Sequence, residues 1–350
     1  MSTSRPTLRS LAAKAGVTPM TVSLALRNSR EVSPATRRRL QRLARAAGYR
    51  PDPTITKLMH HLRLRAPKRS AANICALGPR GSQPHEWSGF VQQMAYGMRE
   101  RAEALGYAFS MIDPEDYDSS ATLQRVLHSR GVDGLAILPP RRVTDFTGLL
   151  DWSEFSIVAA TSAVVAPRFH RVLPNHFDNM MTACRAITAA GFQRIGLAIS
   201  PDFNVRVLYR WTGGIAWHHE FGGTGAVRTF VGEPHQTELN VSALAKWLQR
   251  ETPDAVISDI NHRDQLTAAM ANLPARRRPK LFHMSWPEPH GEPGIDQCPE
   301  QIGSVAIAVL SGMLVRGEKG IPDSPSTMTI DGRWATEVPL AHRARKIART

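Results

Sequence analysis

Two hydroxyl–proline pairs, Thr18-Pro19 and Ser33-Pro34, organise the first fifty residues of the chain. A hydroxyl can accept a hydrogen bond from the free amides of a helix N-terminus, and proline fits the first helical position. Each pair therefore predicts a helix start, and Thr7 supplies a third such signal. Gly16 and Gly48 can adopt the positive φ at which helices commonly end. The pattern predicts three short helices, and the tight turn between the first two is typical of a helix-turn-helix.

The charge of the chain is concentrated in the same region. Residues 1–70 contain 16 lysines and arginines but two acidic residues, an excess equal to the net charge of +14 of the whole chain. The remaining 280 residues are electrically balanced. A basic head on a neutral body indicates binding to nucleic acid, with the second helix entering the major groove. A generic helical hairpin with a solvated basic face is the alternative, and it does not explain the asymmetry.

Length and composition narrow the remaining classes of protein. A chain of 350 residues with 42% hydrophobic residues is long enough for two or three domains. No apolar run approaches 18 residues and no signal sequence is present, so we expect a cytoplasmic protein without a membrane partner. Cys75, Cys184 and Cys298 are widely spaced and are interpreted as buried free thiols. No metal and no cofactor is predicted.

A long stretch of the head resembles a known family. The segment TLRSLAAKAGVTPMTVSLALRNSREVSPATRRRLQRLARAAGYRPDP, residues 7–53, resembles the DNA-binding head of the lactose/galactose repressor (LacI/GalR) family. The similarity includes the opening Thr-Leu, the Ala-Gly-Val turn, Thr-Val-Ser in the second helix, Val-Ser-Pro-x-Thr-Arg and Gly-Tyr-x-Pro. Many ordered positions agree, which makes the resemblance specific.

The resemblance implies a set of DNA-contacting residues. The family's base-reading positions fall on Pro19, Met20 and Leu24, all apolar in this chain. Met and Leu cannot form the bidentate hydrogen bonds that read guanine or adenine, but they can contact thymine methyl groups. We therefore expect strong dependence on methyl contacts and DNA shape. Pro19 also has a simpler role as a helix starter. The other predicted DNA-binding residues are Thr7, Leu8, Thr18, Thr21, Ser23, Arg27, Thr36, Arg37 and Tyr49.

A fourth helix is predicted after the head, starting at Pro53. In the family, a hinge helix at this place inserts a leucine into the minor groove, and Leu58 falls on that position. The segment departs from the family pattern because it is longer and carries His60-His61, for which solvent or phosphate contact explains the pair better than a metal. The expected domains are a head at 1–52, a hinge helix with basic linker at 53–71, a body at 72–340 and a basic tail at 341–350.

The body shows alternating strand and helix patterns. NICALGP, AFSMID and VDGLAILPP read as strands, with helices between them that end at Gly106 and Gly131. The alternation restarts with a helix that ends at Gly191, followed by two further strands, and it predicts parallel sheets covered by helices. Segments such as AAGFQRIGLA and GIDQCPEQIGSVAIAVL match the same family in order. The resemblance implies a two-lobed, periplasmic-binding-protein-like α/β body behind the all-α helix-turn-helix head.

In that fold a small ligand lies between the lobes, and the ligand class expected here is a sugar or a related metabolite. The resemblance places Arg210 at or near the family's ligand-binding arginine, with Arg206 as a rival position. Asp259, Trp286 and Gln297 fall in segments that line the cleft in relatives. Ordinary packing or surface roles are the alternative for all of these residues.

The sequence therefore predicts a DNA-binding transcriptional regulator, interpreted as a repressor, that binds a near-palindromic double-stranded operator as a homodimer. Two alternatives stay open, namely a regulator without a small-molecule effector and a ligand-binding protein without a DNA role. An enzyme is not predicted, because nucleophile elbows, phosphate loops, His-Glu-x-x-His and Cys-x-x-Cys motifs are missing from the sequence. No residue is assigned a catalytic role.

Overall fold

The computed structural model describes residues 6–26, 32–49, 72–79, 89–222, 225–233, 238–271, 273–286 and 292–336. The head consists of helices α1 (Leu8–Ala15), α2 (Pro19–Leu26) and α3 (Pro34–Ala46). The predicted hinge helix with Leu58, the position of Arg27 and the predicted end of the second helix lie outside the described residues.

The helix boundaries of the head confirm the capping signals in the sequence. Thr7 accepts a hydrogen bond from the Ser10 amide at 3.1 Å, and Gly16 ends α1 with φ of 66°. The hydroxyl of Thr18 accepts from the Thr21 amide at 3.1 Å, and that of Ser33 from the Thr36 amide at 3.3 Å. The apolar sides of the three helices form one small core, which contains Leu11, Ala12, Val22, Ala25, Val32, Leu40 and Ala44.

The body is built on two six-stranded sheets, one in each lobe. Its strands are β1 (Asn73–Leu77), β2 (Ala108–Ile112), β3 (Val132–Ile137), β4 (Thr144–Asp145), β5 (Ser156–Ala159), β6 (Val164–Ala166), β7 (His170–Pro174), β8 (Ile195–Ile199), β9 (Phe230–Val231), β10 (Ala255–Ser258), β11 (Lys280–Trp286), β12 (Gly294–Asp296), β13 (Thr327–Ile330) and β14 (Arg333–Ala335). Lobe 1 has the strand order β13-β7-β5-β3-β1-β2, and lobe 2 has β14-β12-β11-β10-β8-β9. Strands β4 and β6 form a separate two-stranded sheet. The predicted parallel α/β fold is confirmed, with β14 as an antiparallel edge strand.

Helices cover these sheets, as strand–helix alternation requires. They are α4 (Gly89–Ala104), α5 (Ser120–Ser129), α6 (His176–Ala189), α7 (Pro201–Arg206), α8 (Arg210–Phe221), α9 (Val241–Glu251), α10 (Arg263–Met270) and α11 (Pro299–Arg316). No helix in the described part of the chain is both long and apolar enough to span a membrane.

The chain passes between the lobes three times. It leaves lobe 1 between β7 and α6, returns between β12 and α11, and leaves again between β13 and β14. These crossings were not apparent in the sequence, because the short strands β12, β13 and β14 carry weak patterns. The second crossing leads into α11, which packs closely on α4: a Cβ built on Gly303 would lie 2.0 Å from the Met94 carbonyl oxygen. This contact fixes two helices whose N-terminal ends face the space between the lobes.

Candidate DNA-binding surface and interlobe cavity

Helix α2 has one buried side and one exposed side. Val22 and Ala25 are fully buried in the head core, whereas 61% of the Met20 surface is exposed. Thr18 and Pro19 at the start of the helix are also exposed. Leu24 is half-buried and packs partly against the head core. Met20 is therefore the apolar side chain that α2 displays most fully, while Leu24 divides its surface between the core and solvent.

The remaining predicted DNA-binding residues of the head surround this helix. Thr7 and Ser33 cap α1 and α3, and Thr36 receives the hydroxyl proton of Ser33 at 2.9 Å. Thr21 shares a hydrogen bond of 2.8 Å with the Thr18 hydroxyl. Leu8 and Tyr49 pack partly against the head core, and Ser23 is half-buried. These side chains thus contribute to the head's own structure as well as to its surface.

The arginines of α3 divide into two groups. Arg37 donates to the Val32 carbonyl oxygen at 3.3 Å and its buried Nε has no partner among the described residues. Arg39 donates to the Ala15 carbonyl oxygen at 3.2 Å, at the end of α1. A second group, Arg38, Arg42 and Arg45, lies exposed along the outer face of α3 and lines a shallow groove. Such a row of exposed guanidinium groups can contact phosphate, whereas Arg37 and Arg39 also stabilise the fold.

A cavity of about 370 Å³ lies between the two lobes of the body. Lobe 1 contributes loops that follow β1, β3 and β5, together with the start of α4. Lobe 2 contributes the start of α6, helix α7 and the loop after β10, and Gln297 and Pro299 come from the second crossing. Its position at the carboxyl ends of parallel strands is the usual place for ligands in open α/β sheets.

Asp259 and Gln297 both line this cavity. Asp259 is 1% exposed, and its carboxylate accepts hydrogen bonds from the Asn261 amide at 3.0 Å and the Ser285 hydroxyl at 2.8 Å. Gln297 is 3% exposed and donates its amide protons to the Met284 carbonyl oxygen. The Oε1 atom of Gln297 is buried and has no partner within the described structure. A buried carbonyl oxygen without a donor is costly, and a ligand hydroxyl in the cavity would satisfy it.

The structure places Arg206 in the cavity wall, whereas Arg210 is not among the residues that line it. Leu208 and Tyr209 have φ of 55° and 57°, and this left-handed turn separates α7, which ends at Arg206, from α8, which begins at Arg210. Arg206 donates across the cleft to the carbonyl oxygens of Pro140 at 3.1 Å and Arg141 at 2.9 Å. Burial lowers the pKa of Arg206, although nearby Asp202 and Asp259 act in the opposite direction.

Trp286 ends β11, and its backbone pairs with Asp296 on β12. Its side chain lies outside what the structure describes. The place of Trp286 in the cleft therefore stays a prediction.

His176 lines the cavity and was not singled out in the sequence. It is the first residue of α6, directly after the first crossing, and its Nδ1 accepts a hydrogen bond from Trp211 Nε1 at 3.3 Å. Burial, with a contribution from the charge of Arg210, lowers the pKa of His176 to about 3. The imidazole is therefore neutral at physiological pH. A strand-to-helix junction at a lobe boundary could have indicated this position, but the boundary itself was not recognisable.

Aromatic and charged groups complete the lining. Phe90 and Phe203 offer apolar surfaces, and Arg141 is held by Asp113 at 3.1 Å and Glu115 at 2.8 Å. Within the described ranges no group of three or more His, Cys, Asp or Glu residues is arranged to hold a metal ion. The mixture of hydrogen-bonding groups and apolar faces suits a small polar organic ligand.

A basic helix-turn-helix head joined to a two-lobed α/β body with an interlobe cavity defines a class of DNA-binding regulators. Residues 7–52 match the family described as bacterial regulatory proteins, lacI family. Residues 71–277 match the family of periplasmic binding proteins and the sugar binding domain of the LacI family. The second match alone covers more than half of the chain, so the chain belongs to the LacI family and is a DNA-binding transcriptional regulator.

Two repressors of Escherichia coli are similar to this chain in sequence. The sucrose operon repressor of Escherichia coli is 25% identical over 238 residues, which cover 66% of this chain and 68% of that protein. The transcriptional repressor CytR of Escherichia coli K12 is 27% identical over 212 residues, covering 59% of this chain and 57% of CytR. These relatives are transcriptional repressors and not enzymes.

Two solved structures share the fold at low sequence identity. The Lac repressor bound to ONPG superposes with a TM-score of 0.53 at 15% identity. The regulator CelR in complex with cellobiose also gives 0.53, at 19% identity. In both cases the alignment covers 95% of this chain and 99% of the other.

Proposed function

We propose that this chain is a cytoplasmic repressor that binds a near-palindromic operator as a homodimer and changes its operator affinity when a small ligand enters the interlobe cavity. The observation that carries the proposal is the buried, unpartnered Gln297 Oε1 in the wall of a cavity between two lobes. Because both lobes contribute to the wall, a ligand that bridges them favours one relative arrangement of the lobes over another.

The ligand that fits this lining is a neutral polyhydroxy compound such as a sugar. The polar groups that line the cavity include both donors and acceptors, among them Gln297, Ser162, Asn261 and the neutral His176. Aromatic faces at Phe90 and Phe203 suit the apolar side of a sugar ring. The names of the sucrose operon repressor and the CelR–cellobiose complex support the same ligand class. We assign Asp259 and Gln297 to ligand contact, retain Trp286 as a candidate, and prefer Arg206 over Arg210 in the cavity.

In the head, we propose that Met20 contacts base edges together with Pro19 and Leu24, and that Leu58 enters the minor groove. Contacts to phosphates and groove edges are assigned to the surrounding residues, namely Thr7, Leu8, Thr18, Thr21, Ser23, Arg27, Thr36, Arg37 and Tyr49. The proposed domains are the head at 1–52, the hinge and linker at 53–71, the body at 72–340 and the tail at 341–350. The residues matched by the two families, 7–52 and 71–277, support the first two boundaries.

The test is selection of bound duplexes from a random DNA pool with the purified full chain, followed by sedimentation with the selected duplex. We expect enrichment of one near-palindromic sequence and two chains per duplex. Failure to enrich any sequence would contradict DNA-dependent regulation by this chain, and a single chain per duplex would contradict the homodimer.

The ligand is tested by repeating the operator titration with sucrose, cellobiose and a panel of other neutral sugars. We expect at least one sugar to change operator affinity about tenfold or more, and Gln297→Met to lose that response while keeping ligand-free operator affinity. A wild-type chain that binds its operator identically with every sugar would favour the alternative regulator without a small-molecule effector.

A further inference from the structure

The imidazole of His176 forms part of the wall of the interlobe cavity. His176 is the first residue of α6, lines the cavity and is 7% exposed. Its Nδ1 atom accepts the hydrogen bond from Trp211 Nε1 at 3.3 Å. An indole nitrogen can only donate, so Nδ1 carries no proton and the single ring proton of the neutral imidazole is on Nε2. The hydrogen bond from Trp211 thus fixes one of the two tautomers.

Trp211 also fixes the orientation of the ring. It is the second residue of α8, is fully buried, and lies edge-on to the His176 ring with 6.1 Å between the ring centroids. Phe203, another residue of the cavity wall, packs against the same indole with 5.0 Å between centroids. One buried tryptophan therefore positions two side chains of the wall, one with a polar edge and one with an apolar face.

The Nε2 atom of His176 is a donor without an acceptor. Within the described part of the chain, the bond from Trp211 is the only hydrogen bond of His176. Because the buried Trp211 covers the Nδ1 edge, the exposed part of the ring is the edge that carries Nε2, at the cavity. Elsewhere in the same wall, Gln297 Oε1 is a buried acceptor without a donor among the described residues. The wall therefore offers a fixed donor and a fixed acceptor.

We propose that His176 is a specificity-determining residue of the cavity, which donates from Nε2 to an oxygen of the ligand and excludes groups that can only donate. The proposal rests on the function proposed above and adds a polarity to it: the ligand needs an acceptor at His176 and a donor at Gln297. A sugar hydroxyl meets either requirement, whereas an ammonium group cannot accept a hydrogen bond. Loss of the acceptor at His176 should weaken binding about tenfold or more, because Nε2 would stay desolvated without a partner.

The tautomer is tested in the ligand-free full chain by nitrogen-15 NMR of histidine-labelled protein. The variant His176→Asn identifies the signal of His176. Its amide oxygen can replace Nδ1 as the acceptor for Trp211, whereas asparagine has no atom at the place of Nε2. We expect a proton on Nε2 and none on Nδ1 in the wild type. A protonated Nδ1 would overturn the proposal before any ligand is added.

Ligand contact is tested by calorimetric titration of the wild type and His176→Asn. The probes are glucose, sucrose and cellobiose, followed by deoxy and deoxyfluoro analogues of the sugar that binds best. We expect His176→Asn to bind that sugar at least tenfold more weakly. At one hydroxyl position, the deoxy analogue should lose a similar factor with the wild type, and fluorine should recover part of it, because fluorine can accept from Nε2. Neither change at that position should matter in His176→Asn.

The control variant is His218→Asn, at a buried histidine of α8 that does not line the cavity. It should bind every analogue like the wild type. Equal affinity of the wild type and His176→Asn for the sugar would overturn the proposal, and so would a loss shared equally by all analogues, which indicates a loosened cavity.

The operator titration separates this proposal from the regulatory function. A sugar effect on operator affinity that persists unchanged in His176→Asn would refute the contact and leave the regulation standing. The expected analogue pattern without any sugar effect on operator affinity would refute the regulation and leave the contact standing. A wild type that binds none of the sugars would overturn both.

Discussion

The head and the interlobe cavity present their side chains in opposite ways. The exposed surface of the head comes from residues close together in sequence, and Met20 on α2 is 61% exposed. The cavity is lined by residues from Pro79 to Pro299, and its polar members, such as Gln297, are mostly buried. An exposed side chain such as Met20 can therefore be changed with little effect on folding, whereas the capping residues around it also stabilise the head. In the cavity, the groups available to a ligand also hold the loops and lobes in place.

The largest expected effect concerns the charge of the head. If the arginines of the head contact phosphates, raising the salt concentration from 50 to 200 mM should weaken operator binding by about 10³- to 10⁵-fold, as expected for 6–10 phosphate contacts. Binding of an uncharged sugar to the body, whose residues 72–340 carry a small net negative charge, should change little. Parallel titrations of DNA and sugar over that salt range measure both. Equal salt sensitivity of the two would contradict the division of charge between head and body.

Substitutions on α3 test which arginines of the head contact phosphate. Arg38→Gln combined with Arg42→Gln should weaken binding to all DNA sequences alike and reduce the salt slope by about 2, because both side chains are exposed. Arg37→Gln is the matched comparison. Since Arg37 also donates to Val32, its loss should lower the thermal midpoint as well as DNA affinity. Unchanged DNA affinity in the double variant would remove the outer face of α3 from the DNA contact.

The sequence allowed the structure of the head to be predicted more completely than the lining of the cavity. The start of every head helix could be predicted from a cap such as Thr18-Pro19, because capping depends on residues a few positions apart. The parallel α/β class followed from alternation of strands and helices. The cavity wall depends on strand order and on three lobe crossings, which local patterns do not encode. His176 was missed for this reason, and Arg206 and Arg210 could not be separated because the left-handed turn between them has no glycine.

The next largest effect tests how tightly the body is packed around its cavity. Gly303→Ala would place a Cβ 2.0 Å from the carbonyl oxygen of Met94, which belongs to the backbone of α4. We expect a loss of about 3 kcal/mol in the free energy of unfolding, because the helices must separate. Gly213→Ala on exposed α8 is the control: its Cβ meets nothing within 4 Å, so the change should stabilise by about 0.5–1 kcal/mol. Denaturant unfolding measures both, and equal stability of the two variants would contradict the close approach of α4 and α11.

The buried His176 gives the cavity a pH dependence that the exposed head surface lacks. Its pKa is about 3 in the folded chain against an ordinary value near 6.5, so the unfolded chain binds the proton more readily. The stability contributed by the neutral imidazole is complete above pH 6.5 and is lost as the pH falls toward 3. Between pH 7.5 and 5 the loss from this residue amounts to about 2 kcal/mol.

The variant His176→Asn keeps an acceptor for Trp211 and removes the titrating group. Its free energy of unfolding should therefore fall less than that of the wild type between pH 7.5 and 5. His218 and His283 also have pKa values lowered by burial, so some acid sensitivity should persist in the variant. The same loss of stability in both proteins would show that His176 is not the group responsible.

The smallest expected effect is at Met20, where a substitution should change DNA recognition with little effect on folding. A bidentate polar contact discriminates between bases by about 1–3 kcal/mol, and an apolar contact with a thymine methyl should give less. Met20→Ala should relax the preference at one or two base pairs while binding to random DNA and the thermal midpoint stay nearly unchanged. Met20→Gln should shift the preferred base, because an amide can read adenine.

Val22→Ala, two positions along the same helix but fully buried, should lower the thermal midpoint and leave the selected sequence the same. Selection from a random DNA pool with each variant provides the measurement. If Met20→Ala selects the wild-type sequence, then Met20 does not read bases, and recognition must come from the hinge segment and from DNA shape.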